Sequence, residues 1–151
     1  MLRVLFVCTG NTCRSSMAEG LAKRLIKDMS LEGRLSVSSA GIAALDGMPA
    51  AGHAVGVMAE RGIDLTAHQA RLLKDEYWCE ADLVLTMTKG HKEALKNSVP
   101  EDKLFTLGEF AGIDNNISDP IGGSSEVYRE CADQLKELIE LTIMKLMEEE
   151  A

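Results

Sequence analysis

The sequence predicts a single-domain α/β protein, a three-layer sandwich with a four-stranded parallel sheet and helices on both faces. Short apolar runs that favour strands alternate along the chain with stretches of helical periodicity. The length of 151 residues and the hydrophobic content of 46% suit one compact domain spanning 1–151. No repeat, linker or low-complexity stretch interrupts the alternation, so we expect no second domain.

The chain opens with a strand, a turn and a helix. Leu2–Val7 is a short apolar run of residues that favour strands, and a turn at Gly10 follows it. Apolar residues then recur every four positions from Met17 to Met29, which is the spacing of one helix face. Leu35–Ala40 predicts the second strand.

The middle of the chain continues this pattern. Ala51–Arg61 predicts a helix that ends at Gly62, because glycine favours the position after a helix. The leucines and valine of Asp82–Met87 predict the third strand, and Lys89–Asn97 predicts the next helix. Lys103–Leu107 predicts the fourth strand.

The last third of the chain combines a loop with a long helix. Gly108–Ile121 is rich in turn signals and is expected to be a loop-rich region. From Ser124 onward the sequence predicts an amphipathic helix, capped by Ser124 or Ser125. One stripe of this helix would pack on the sheet: Cys131, Leu135, Leu138, Ile139 and Leu146.

The turn after the first strand is the candidate functional site, because ligands of parallel sheets bind outside the carboxyl ends of the strands. A tight loop there can turn its amides inward, and the following helix adds the positive end of its dipole. Gly10 permits unusual backbone angles, and Asn11 tolerates left-handed geometry. The predicted phosphate-binding loop is Thr9, Gly10, Asn11, Thr12, Cys13, Arg14 and Ser15.

The residue types in and before this loop suit phosphoryl transfer. Cys8 would lie beneath the amides, whose field favours its thiolate form, the attacking species. Arg14 offers a planar fork that can hold two oxygens of a phosphoryl group. Ser15 could donate a hydrogen bond to the sulfur and stabilise it as a leaving group.

These residues carry a resemblance. Cys8, five further residues and then Arg14-Ser15 resemble the Cys-x5-Arg-Ser signature of the low-molecular-weight protein tyrosine phosphatases. Three other segments extend the match over essentially the whole chain: Met17-Ala18-Glu19, Ser39-Ala40-Gly41 and Asp119-Pro120.

The resemblance implies a metal-independent phosphatase that hydrolyses phosphorylated protein side chains through a phosphocysteine intermediate and releases inorganic phosphate. It implies Asp119 as the general acid, and Pro120 would keep that carboxyl group in a loop. No cofactor is implied, and no histidine or carboxylate cluster has the spacing of metal ligands.

Three positions are expected to determine specificity: Thr12, Leu45 and Ile121. The family's tyrosine phosphatases usually have an aliphatic residue at the first position and aromatic residues at the others. The Thr-Cys-Arg variant and the Asp-Pro-x-Gly-Gly-Ser run resemble the bacterial protein arginine phosphatase branch, although Ile121 replaces an aromatic residue of that branch. A hydroxyl at Thr12 suits a guanidinium better than a phenol, so we expect phosphoarginine to be preferred over phosphotyrosine.

The remaining cysteines and the histidines have smaller expected roles. Cys13 either points inward from the loop or forms a reversible disulfide with Cys8 that protects it from deeper oxidation. Cys79 and Cys131 are expected to be packing residues. His68 is a candidate to hydrogen-bond the phosphate loop, and the other two histidines are expected at the surface or at helix caps.

Composition excludes several classes of partner. The formal net charge of −8 argues against nucleic acid, whose binders carry excess Lys and Arg on one face. No apolar stretch approaches the ~20 residues needed to span a bilayer, so no membrane partner is expected. Four cysteines without the spacing of a disulfide framework predict a reducing, cytoplasmic location.

Two rival functions use the same loop. Thiol-dependent arsenate reductases share this fold, but they need a close cysteine pair near residues 80 to 90, where this chain has only Cys79. A non-catalytic anion-binding module would bind phosphate without hydrolysing any ester.

Overall fold

Four parallel strands form the sheet, in the order β2-β1-β3-β4. The computed structural model describes residues 1–113 and 115–150, and only the backbone at residue 150. The strands are β1 (Leu2–Cys8), β2 (Leu35–Gly41), β3 (Leu83–Thr86) and β4 (Leu104–Thr106). The four-stranded parallel sheet is confirmed, and each strand end lies within one residue of its prediction.

The helices occupy both faces of this sheet. They are α1 (Arg14–Asp28), α2 (Gly52–Glu60), α3 (Asp75–Glu80), α4 (Lys89–Leu95), α5 (Leu107–Ala111) and α6 (Ser125–Glu150). A 3-10 turn over Glu101–Lys103 precedes β4. In the described part of the chain, no helix has the length and apolarity that crossing a membrane requires.

Strand β1 divides the core into two parts because its side chains alternate between the faces of the sheet. Val4 and Phe6 pack with the larger cluster, which α1, α2, α5 and α6 cover. Leu5 and Val7 pack with the smaller cluster, which α3 and α4 cover. The apolar stripe predicted on α6 is buried in the larger cluster, as expected. The three-layer sandwich is thereby confirmed.

The region Gly108–Ile121, which was predicted to be loop-rich, starts within a short helix over Leu107–Ala111 that the sequence pattern did not predict. Thr106 accepts a hydrogen bond from the amide of Glu109 at 3.0 Å, and the Glu109 carboxylate accepts from the amide of Thr106 at 2.8 Å. This reciprocal capping satisfies two amides that a short helix leaves unpaired. Gly112 then ends the helix with a φ of 88°.

The carboxyl ends of β1, β2 and β3 lie together at one edge of the sheet. Cys8 is the last residue of β1 and pairs in register with Gly41, the last residue of β2. The loop between β1 and α1 therefore begins at the centre of the sheet, with chain segments on both sides to support it.

Candidate active site

The carbonyl groups of the loop between β1 and α1 point outward into hydrogen bonds. The carbonyl of Thr9 accepts from the amide of Ala43, and that of Thr12 accepts from the amide of Ala51, both at 2.9 Å. The amides of residues 9–13 donate to no acceptor within residues 1–113 and 115–150. A loop whose carbonyls are held outward leaves its amides free to bind an anion, as a phosphate-binding loop requires.

Asn11 holds the middle of this loop. It is fully buried, and its φ of 59° lies in the left-handed region, which confirms the geometry predicted for it. Its carbonyl is 2.7 Å from Nε2 of His68, so the predicted contact of this histidine with the loop is confirmed. Its side-chain oxygen accepts from the amide of Arg71 at 2.9 Å.

A chain of hydrogen bonds leads from a carboxylate to the sulfur of Cys8. Ser39 donates to the Glu19 carboxylate at 2.6 Å, because a carboxylate can only accept. The side-chain nitrogen Nδ2 of Asn11 donates to the hydroxyl oxygens of Ser39 at 2.9 Å and Ser15 at 2.8 Å. The Ser15 hydroxyl hydrogen remains available for the Cys8 sulfur, 2.8 Å away. A donor in this place stabilises a thiolate.

Gly41 allows β2 to approach the loop closely. A Cβ atom at this position would lie 2.5 Å from the carbonyl oxygen of Thr9 and 2.9 Å from the amide nitrogen of Asn11. Gly10 does not adopt the left-handed φ that glycine permits. A Cβ there would meet only the hydroxyl of Thr12, at 3.6 Å.

Arg14 and Asp119 lie beside each other at the start of α1. The guanidinium of Arg14 donates to the carbonyl of Ile117 at 3.0 Å and is 3.5 Å from the Asp119 carboxylate. The Arg14 side chain is 7% exposed, whereas the Asp119 side chain is 44% exposed. A buried arginine that is anchored from behind can present a fixed fork to phosphate, and the exposed carboxylate can reach a substrate.

The three predicted specificity residues lie on segments that border the loop. Thr12 is half-buried within it. Leu45, 70% exposed, belongs to the 42–51 segment that donates amides to the loop from both ends. Ile121, 69% exposed, donates its amide to the Asp119 carboxylate at 3.0 Å. Two of these three positions are therefore aliphatic.

The cysteines outside the nucleophile position differ in their surroundings. Cys13 is buried, and its sulfur is 3.4 Å from the hydroxyl of Tyr128. Cys131 is buried in the larger core cluster, which confirms its packing role, and this burial raises the pKa of its thiol to about 12. Cys79 is exposed, so the structural role predicted for it was wrong. All four thiols are free. The reversible disulfide between Cys8 and Cys13 stays a prediction.

His91 is a site residue that sequence reasoning missed. It was expected only at the surface or at a cap, yet its ring nitrogen Nε2 lies 2.9 Å from the hydroxyl oxygen of Thr9. No local motif links the two residues, which are 82 positions apart. The only available sequence signal was its place in the first turn of the helix that follows β3.

Comparison with known proteins gives the family. The sequence profile described as "Low molecular weight phosphotyrosine protein phosphatase" matches residues 3–151. The chain belongs to this family. It is 46% identical over 151 residues to the protein-arginine-phosphatase of Geobacillus stearothermophilus, and the match covers 98% of each chain.

Two solved structures of the family resemble this one. The low molecular weight protein tyrosine phosphatase from T. tengcongensis matches with a TM-score of 0.91 and 44% identity, over 96% of this chain and 99% of that chain. A YwlE arginine phosphatase variant, in which serine replaces a cysteine and the active-site serine is phosphorylated, matches with a TM-score of 0.91 and 38% identity. That match covers 97% of this chain and 96% of that chain.

Membership in the low molecular weight phosphatase family confirms the resemblance and the enzyme class, a cysteine-dependent protein phosphatase. The arsenate reductase alternative finds no support in the structure, because Cys79 lies exposed on α3 and no other cysteine is near it in sequence. No three metal-ligating side chains come together within the described ranges.

Proposed function

We propose that this phosphatase hydrolyses phosphorylated side chains of proteins and prefers phosphoarginine over phosphotyrosine. The observation that carries the proposal is the arrangement around Cys8. Its sulfur accepts a hydrogen bond from Ser15 beneath the loop, and Arg14 and Asp119 lie alongside. These are the parts that phosphoryl transfer to a thiolate needs.

In the first step the Cys8 thiolate attacks phosphorus, and a phosphorus–sulfur bond forms as the bond to the side-chain nitrogen or oxygen breaks. Asp119 gives its proton to the leaving atom. The loop amides and the Arg14 guanidinium hold the three phosphoryl oxygens as charge develops on them. The buried, anchored position of Arg14 supports this role.

In the second step water attacks phosphorus and Asp119 accepts its proton. The phosphorus–sulfur bond breaks, inorganic phosphate leaves and Cys8 returns to the thiolate, which the Ser15 hydroxyl stabilises. The phosphorylated active-site serine in the related YwlE variant supports a phosphoenzyme at the nucleophile position. The proposed partners of the enzyme are therefore phosphorylated proteins, which bind as its substrates.

The side chains that we expect around the substrate support the proposed preference for phosphoarginine. Thr12 contributes a hydroxyl, which can hydrogen-bond a guanidinium, and Asp119 can pair with the same group. Leu45 and Ile121 offer no aromatic ring on which a phenol could stack. The 46% identity to an arginine phosphatase supports the same ordering. Phosphotyrosine is the second candidate, favoured by the 44% identity to a tyrosine phosphatase.

The test compares phosphoarginine and phosphotyrosine peptides with the same flanking sequence. The wild type should show the higher kcat/KM with phosphoarginine. Thr12→Ile should lower this value by about tenfold, the effect of one lost hydrogen bond, and change phosphotyrosine turnover less. Thr12→Ser keeps the hydroxyl and should retain the wild-type preference. Faster phosphotyrosine hydrolysis by the wild type would reject the proposed ordering.

We also propose that the enzyme works in the reducing cytoplasm. The proposed nucleophile has to be a free thiolate, and an oxidising compartment would favour its conversion to a disulfide. The four free thiols of the chain support this location.

A further inference from the structure

His91 joins the helix after β3 to the rim of the phosphate loop. It lies in the first turn of α4, where its amide donates to the hydroxyl of Thr88 at 3.1 Å. Its ring nitrogen Nε2 is 2.9 Å from the hydroxyl oxygen of Thr9, the residue after Cys8. The imidazole therefore forms part of the wall of the site.

The same turn is bonded to the segment that leads to Asp119. The amide of Lys89 donates to the side chain of Asn116, and the amide of Ile117 donates to the carbonyl of Met87, both at 2.9 Å. Helix α4 thus contacts the loop that would hold phosphate and the segment that carries the proposed acid.

The surroundings of the His91 ring favour its uncharged form. Its Nδ1 atom is buried and has no hydrogen-bond partner in the part of the chain described, so a proton there would be left unpaired. Burial, followed by the charge of Arg14, lowers the pKa of this imidazole to about 4, although Asp119 acts in the opposite direction. Lys92, on the same helix, is turned toward Glu109 at 3.0 Å.

The charge of this wall matters for one of the two candidate leaving groups. A phosphorylated guanidinium brings a positive charge, and a phenol brings none. A cation on the wall would repel the first group and leave the second largely unaffected. A neutral imidazole avoids that repulsion while still holding Thr9.

We propose that His91 is a specificity-determining residue, which holds Thr9 and keeps the wall beside Asp119 free of a second cation so that a phosphorylated guanidinium can bind. The inference rests on the proposed function, because it concerns the discrimination between phosphoarginine and phosphotyrosine.

The experiment compares His91→Lys with the uncharged control His91→Gln. For each variant, kcat/KM is measured at neutral pH with matched phosphoarginine and phosphotyrosine peptides. His91→Lys should lower the phosphoarginine value about tenfold more than the phosphotyrosine value, since repulsion between two partly solvated charges has this magnitude. His91→Gln should keep the ratio of the two values within about threefold of the wild type.

The ratio within one variant is insensitive to the folded fraction, so a loss of stability cannot imitate the effect. Equal losses for both peptides in His91→Lys would overturn the inference, since they would indicate a structural role only. An equal change of ratio in His91→Gln would also overturn it. A wild type that does not hydrolyse phosphoarginine would instead refute the proposed substrate, and the inference with it.

Discussion

The hydrogen bond between Ser15 and Cys8 has a direction that more distant residues determine. Glu19 can only accept, so the Ser39 hydroxyl is committed to it, and Asn11 uses both of its amide hydrogens on the two serines. The Ser15 hydrogen is left for the sulfur. A buried network of this kind orders its members in one arrangement because an unpaired buried group is costly.

Asp119 can be tested through the leaving group. Asp119→Ala should lower kcat/KM for phosphopeptides, which reports the steps up to departure of the leaving group, by on the order of 100-fold, the usual contribution of a general acid. The loss should be smaller with an aryl phosphate whose phenol is acidic, because such a leaving group needs little protonation. Steady-state kinetics with both substrates check this, with Asp119→Asn as the variant that preserves shape. Equal losses for both substrates would contradict the role of acid.

At the scale of elements, the loop depends on its contact with the end of β2. Gly41 is in register with Cys8, and its backbone approaches the loop more closely than any side chain would permit. The amides of Ile42 and Ala43 then donate to the carbonyls of Cys8 and Thr9, both at 2.9 Å. One strand end therefore holds the outward side of the phosphate loop.

Gly41→Ala tests this contact. The added methyl group would force the loop away, which should cost about 1–3 kcal/mol in the free energy of unfolding and weaken phosphate binding. Gly56→Ala on α2 is the control, because a Cβ there meets nothing within 4 Å. It should stabilise the protein by about 0.5–1 kcal/mol, as alanine does in helices. For both variants, chemical denaturation measures the free energy of unfolding and titration with phosphate measures the affinity. Unaltered phosphate affinity in Gly41→Ala would contradict the account.

For the whole molecule, the sequence predicts what is local. The strands, the long helices and the residues of the phosphate loop follow from periodicity and from one contiguous motif. The short helices over Asp75–Glu80 and Leu107–Ala111 are too brief to show a period, although Thr106 and Glu109 have the spacing of a capping box and could have identified the second.

The contacts that complete the site are not local and leave no pattern. His68 reaches Asn11 across 57 positions, and the Ile117 carbonyl reaches Arg14 across 103. Such pairs depend on where the crossovers bring segments together at one edge of the sheet. Individual residues of this kind, including His91, can be assigned only once the fold is known.

The central claim is that the phosphoryl group passes through the sulfur of Cys8. The direct measurement is intact-mass and peptide analysis of enzyme quenched in acid during turnover of a phosphoarginine peptide, for the wild type, Cys8→Ala and Asp119→Ala. The account predicts one phosphoryl group on Cys8 in the first and third proteins and none in Cys8→Ala, which should not turn over. A phosphoryl group on another residue, or wild-type turnover by Cys8→Ala, would contradict it.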